Sequence, residues 1–162
     1  MEPSGRVGCS RNGRDVTIAR SRDGDREAII ALLRRQLDEH AIELAHALLE
    51  AAVDGVLSEP TRGFVLLARQ RGEPIGVAYV SLVWTLEHGG RSAWLEEIYV
   101  IPERRGSGTG GDLLSAVLDH ARTEGCAAVD LEVDADHARA AHLYERAGFR
   151  QHRRTRWVRR LD

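Results

Sequence analysis

Arg105-Gly106-Ser107-Gly108-Thr109-Gly110-Gly111 stands between an apolar strand pattern, Trp94 to Ile101, and an amphipathic helical pattern, Asp112 to Glu124. A strand, a glycine-rich turn and a helix in that order can hold phosphate. Residues without a Cβ let the backbone turn tightly and come close to a ligand. The start of the helix then aims amides without intrahelical acceptors, and the positive end of the helix dipole, at whatever sits there. Arg105 adds a side-chain cation. Two ligands fit the spacing: Gly106, Gly108 and Gly111 satisfy the G-x-G-x-x-G of dinucleotide turns, while Arg105, Gly108 and Gly110 satisfy an Arg-x-x-Gly-x-Gly that suits the pyrophosphate of coenzyme A.

The place of the turn in the chain separates the two. A dinucleotide domain opens with its fingerprint and continues through several strand-helix units, with an acidic residue about 20 positions on. Asp130 and Glu132 meet the last demand, but only residues 112–162 remain, enough for one strand, one helix and a terminal strand region. The nicotinamide half would have no domain to sit in.

The flanking residues favour coenzyme A. Leu95-Glu96-Glu97-Ile98-Tyr99-Val100, Pro102, the glycine turn, a helix, a strand and Leu143-Tyr144-Glu145-Arg146-Ala147-Gly148-Phe149 follow one another in the order of the GNAT superfamily of N-acetyltransferases. The chain resembles that family over most of its length, with the specific motifs lying from Leu95 onward. The Leu-Glu-Glu stretch is similar to the Leu-Glu-Asp of its polyamine and thialysine acetyltransferases. The resemblance implies a fold and an activity: a single α/β domain with a mixed sheet of about six or seven strands and about four helices, transferring the acetyl group of acetyl-CoA to a primary amine.

Composition is compatible with that reading. With 162 residues, 43% apolar and 30% charged, the chain suits one soluble globular domain. No apolar run approaches a membrane span and no hydrophobic leader opens the sequence, which points to the cytoplasm and to no membrane partner. Cys9 and Cys126 fit neither a disulfide framework nor a metal spacing, so no metal is expected. All 23 basic residues are arginine, and the net charge of −2 gives no general pull toward nucleic acid. The arginines from Arg150 to Arg160 lack the aromatic interleaving of a single-strand binder and read as a solvated strand.

Along the chain, residues 1–14 read as a disordered arm preceding one domain over 15–162. Val16 to Arg20 alternates as a strand. Asp23 or Asp25 caps a helix through Leu37, and a second helix runs from Ile42 to Leu57. Gly63 to Gln70, Pro74 to Leu86 and Arg91 to Ile101 read as an antiparallel meander. Gly125 ends the helix after the glycine turn, and Cys126 to Val133 is a strand parallel to Arg91–Ile101 through a right-handed crossover. Asp136 caps a short helix through Ala147, Gly148 ends it, and Phe149 to Arg160 supplies one or two last strands.

Acetyl transfer to an amine needs a held donor, a neutral amine, a polarised carbonyl and a protonated leaving thiolate. A lysine-like amine has a pKa of about 10.4, so a base must take its proton near neutral pH. Adjacent residues on a regular strand face opposite sides, so only one of Glu96 and Glu97 can serve. The resemblance favours Glu96, with Glu97 as alternate; an exposed charge on the sheet rim is the competing reading. It also implies that the backbone of Ile98, Tyr99 and Val100 holds the pantetheine and the thioester oxygen. Arg105, Gly106, Ser107, Gly108, Thr109, Gly110 and Gly111 would hold the pyrophosphate. Tyr144 would protonate the thiolate, its competing reading being a core tyrosine, and His137, Arg139 and Ala140 would complete the coenzyme contacts. Family members often carry asparagine where this chain has His137, which can still donate a hydrogen bond.

The acceptor, a small molecule or a protein amine, would meet the junction of the two N-terminal helices near Asp38, Glu39 and His40. Glu87, Glu96 and Glu97 suggest that it is cationic, and Trp84 and Trp94 would wall it or fill the core. A homodimer is expected among the partners of the chain. A non-catalytic acyl-CoA-binding module and a dinucleotide-dependent oxidoreductase are the rival functions.

Overall fold

The computed structural model describes residues 15–133 and 138–161. The arm expected over residues 1–14 and the cap expected at Asp136 fall outside them. The chain divides into two compact units, one ending at Glu132 and the other beginning at Val133.

The first unit is built on a five-stranded sheet in the order β1-β2-β3-β4-β5: β1 Val16–Arg20, β2 Gly63–Gln70, β3 Glu73–Thr85, β4 Gly90–Val100 and β5 Ala128–Leu131. The first four run antiparallel and β5 lies parallel to β4. Every residue from Gly63 to Ala68 is buried, so helices cover both faces. Val65, Leu67, Val77 and Tyr99 pack with Ile29, Leu33, Leu49 and Val53 of α1 (Arg26–Glu39) and α2 (His46–Leu57). On the opposite face the Phe64 ring lies 5.7 Å from that of His120 in α3 (Thr109–Thr123), whose Leu113, Leu114 and Val117 are fully buried. Arg26 clamps the two N-terminal helices together through Asp54, at 2.6 and 2.9 Å.

The meander, the parallel pairing of β5 with β4 and the glycine stop of α3 agree with the sequence reading. Gly125 has φ of 74°, and Cys126 N–H donates to Ala121 at 2.9 Å. Differences occur at element ends. Asp25 occupies the cap position of α1, yet its carboxylate accepts from Arg22 N–H and Arg69 instead of from the helix. The second helix starts at His46, after a left-handed Ala41 has turned the chain.

The second unit holds α4 (Ala138–Arg146), closed by Gly148 at φ of 89°, with Phe149 N–H donating to Tyr144 at 3.0 Å. The strands expected from Phe149 to Arg160 are not formed. Residues 150–161 are exposed and carry no secondary structure, and five strands rather than six or seven are found among the described residues. Arginines crowd this stretch and break its alternation. No apolar face is left to bury, and Trp157, Val158 and Leu161 stand in solvent.

Candidate active site

The strand β4 departs from regular pairing at one point. Tyr79 pairs with Glu97 and the next residue, Val80, pairs with Leu95, so Glu96 is the extra residue of a β-bulge. A regular strand would place Glu96 with Trp94 on the α1–α2 side and turn Glu97 toward α3. The bulge changes the phase: Glu97 shares the face of Tyr99, which is packed in the α1–α2 core. Pairing with β5 covers Ser92 to Leu95 only. From Glu96 to Val100 the β5-side edge joins no strand among the described residues.

Glu97 is half-buried. Gln36 of α1, itself buried, donates from Nε2 to Glu97 Oε2. Burial pushes the Glu97 carboxyl above its ordinary range; the Glu96 charge pushes the same way and the Gln36 hydrogen bond opposes both. A carboxyl so raised is a better proton acceptor than a solvated one. Opposite it, Tyr79 donates its hydroxyl proton to the Ala52 carbonyl of α2 at 2.9 Å. Burial and the Glu96 charge hold that phenol protonated. Glu96 is exposed.

Beyond β4, a short 3-10 turn over Pro102–Arg104 leads into the glycine turn. Gly106 and Gly108 have φ of 75° and 90°, conformations open to glycine and strained for most other residues. The first bond of α3 runs from Asp112 N–H to the Gly108 carbonyl, so the preceding amides lie outside the helix ladder. Thr109 is buried and its hydroxyl bonds Ser107 at 3.0 Å, while Ser107 donates to the Arg104 carbonyl at 2.8 Å. The Arg105 guanidinium is engaged three ways: both Nη atoms meet Glu39 at 2.7 Å, Nε donates to the Val100 carbonyl at 2.8 Å, and its carbon sits 5.4 Å from the centre of the Tyr99 ring. Sequence reasoning placed Glu39 beside the acceptor and missed this pair, which joins residues far apart in the chain.

The α1–α2 junction forms an open depression of about 600 Å³, lined by Arg34, Asp38, Ile42 and Glu43 among others. Trp84 is 82% exposed, so it is no core residue, and Trp94 is half-buried. In the second unit Tyr144 is buried, its ring edge-on to Phe149 at 5.8 Å, and Ala140 is half-buried. His137 and the Arg139 side chain lie outside the described residues.

Comparison with known proteins shows the family. The acetyltransferase (GNAT) family pattern matches residues 26–149. The uncharacterised N-acetyltransferase YhfO of Bacillus subtilis is 29% identical over 84% of this chain and 91% of its own. Thialysine N-epsilon-acetyltransferase of Bos taurus is 29% identical over 82% and 83%. A mycothiol acetyltransferase of Kocuria rhizophila is 42% identical over 54% of this chain, a match that spans only 30% of the relative's length. Among solved structures, the aminoglycoside N-acetyltransferase AAC(6')-Iy in complex with CoA superposes with a TM-score of 0.78 at 19% identity, over 94% of this chain and 99% of that one. With a family match from α1 to the end of α4, an α/β fold shared with that enzyme and a glycine turn opening α3, the chain belongs to the GNAT family of acetyltransferases.

Proposed function

We propose that this protein transfers the acetyl group of acetyl-CoA directly to a primary amine, with the Glu97 carboxylate as the proton acceptor. The observation that carries the reading is the bulge at Glu96. It turns Glu97 to the α1–α2 side just where β4 loses its β5 partner and presents bare backbone. Along that edge the amides of Ile98 and Val100 suit the pantetheine and the thioester oxygen, the Tyr99 amide facing β3 as that of Ile101 does, and the amides from Gly106 to Gly111 suit the pyrophosphate.

The amine nitrogen loses its proton to Glu97 and attacks the thioester carbon. The tetrahedral oxyanion collapses, the C–S bond breaks, Tyr144 is the residue we assign to protonate the departing thiolate, and the second proton on the nitrogen passes to the Tyr144 phenolate, directly or through water, leaving the neutral amide. Glu96, first choice on resemblance, becomes the exposed neighbour whose charge favours a cationic acceptor. The named relatives act on thialysine and aminoglycosides, both amine-bearing, and the acidic character of this face suits such a substrate. Among the described residues no helix is long and apolar enough to cross a membrane.

Two measurements test the reading. Calorimetric titration with acetyl-CoA and with NAD should show binding of the first alone. A panel of polyamines, amino acids, aminoglycosides and lysine peptides should then give acceptor-dependent release of free CoA. Binding without release for any amine would leave a non-catalytic acyl-CoA module.

A further inference from the structure

Gln36 is a buried polar residue on a helix face otherwise made of Ile29, Ile30, Leu32 and Leu33. Burying an amide among aliphatic side chains is costly unless it is bonded, and methionine or leucine would fill the same space. Its Nε2 reaches across 61 residues of sequence to Glu97 Oε2, and its Oε1 is buried with no partner among the described residues. An amide kept at that cost, aimed at the one half-buried carboxylate of β4, is poorly accounted for by packing.

We propose that Gln36 is a positioning residue for acetyl transfer: its amide N–H fixes the Glu97 carboxylate on the α1 side of the sheet and holds it in the form that accepts a proton. This deepens the assignment of Glu97 as base and rests on it. Burial lifts the carboxyl above its ordinary range. The hydrogen bond from Gln36 works against that lift, and the charge of Glu96 works with it.

Other polar groups on the α1–α2 side are engaged elsewhere. Tyr79 on β3 gives its proton to the Ala52 carbonyl. Glu39 on α1 is held by Arg105, and the α2 acids Glu50 and Asp54 are held by Arg26. Among these groups Gln36 alone gives the carboxylate a donor.

The test is a carbon-13 NMR titration of the Glu97 carboxyl in the wild type, Gln36→Met and Gln36→Asn, followed by pH profiles of kcat/KM with the acceptor found by the amine panel. Methionine keeps the volume and removes the donor; asparagine keeps the amide but falls short. The Glu97 midpoint should rise by about one pH unit in both variants. The acid limb of kcat/KM should move with it, activity should recover toward the wild type at high pH, and KM for acetyl-CoA should stay unchanged. An unmoved midpoint in either folded variant overturns the proposal, whatever the rates do. A Glu97→Gln enzyme with the wild-type rate and acid limb would instead remove Glu97 as base and, with it, the positioning role of Gln36.

Discussion

Arg105 and Glu39 meet through two parallel hydrogen bonds of 2.7 Å, tying the glycine turn to the last turn of α1. The carboxylate stands at the negative end of its helix, where acids are disfavoured. The guanidinium compensates, holding Glu39 below the ordinary carboxylate range. A polyanion entering the turn must share Arg105 with Glu39 and tolerate its charge. Glu39→Gln should therefore tighten acetyl-CoA binding severalfold and Arg105→Gln should weaken it, as read by calorimetry. Weaker binding in Glu39→Gln would show instead that the pair holds the turn in its binding shape.

Gly108 opens α3 at φ of 90°. Gly108→Val should lose about 1–2 kcal/mol of stability from the left-handed backbone. It should also reduce acetyl-CoA affinity by about tenfold or more, since a side chain there blocks the close approach of the pyrophosphate. Thermal melts and calorimetry separate the two effects. An unchanged dissociation constant would remove the turn from the donor site.

The bulge sets the order of the two glutamates. Glu97→Gln should lower turnover most at pH values below the amine's own pKa, with recovery as the amine deprotonates unaided, whereas Glu96→Gln should act mainly on KM for a cationic acceptor. The reverse order in steady-state kinetics would return the base to Glu96.

Glu97 also sets a pH dependence of stability. Its folded pKa lies above the unfolded value, so its contribution is full below the unfolded pKa and is lost as pH rises through the folded one. Glu97→Gln, which removes that cost, should gain in Tm relative to the wild type between pH 4 and pH 8. A difference that stays flat over this range would mean that the carboxylate is well solvated.

Tyr144 is buried against Phe149. Tyr144→Phe keeps the ring and deletes the proton donor, so stability should change little while turnover falls by about a hundredfold. The loss should shrink with an acyl donor whose leaving group is less basic. Full activity on acetyl-CoA would leave Tyr144 a core residue.

Much of the fold was legible because its signals are local. The period-two runs of β2 to β4 and the stripe Leu113, Leu114, Val117, Ala121 follow from the order of side chains alone. The bulge was not legible, because Leu95-Glu96-Glu97-Ile98 reads equally well as regular strand. Its position becomes apparent only when Tyr99 is seen to pack against α1 and α2. The Glu39–Arg105 and Gln36–Glu97 pairs are likewise set by tertiary approach. The terminal strands failed for another reason: Phe149 to Arg160 carries strand-compatible residues and no buried face to hold them.

The bulge gives β4 an unusual tolerance to one kind of hereditary change. Losing the Ile98 codon would put Tyr99 directly after Glu97 and turn it away from the core face it occupies. Loss of the Glu96 codon would leave Leu95 and Glu97 on the faces they already occupy. The product would keep its interior, express as a folded protein, and lack the irregularity beside which β4 and β5 part. A single in-frame deletion can thus separate foldedness from the register break in β4.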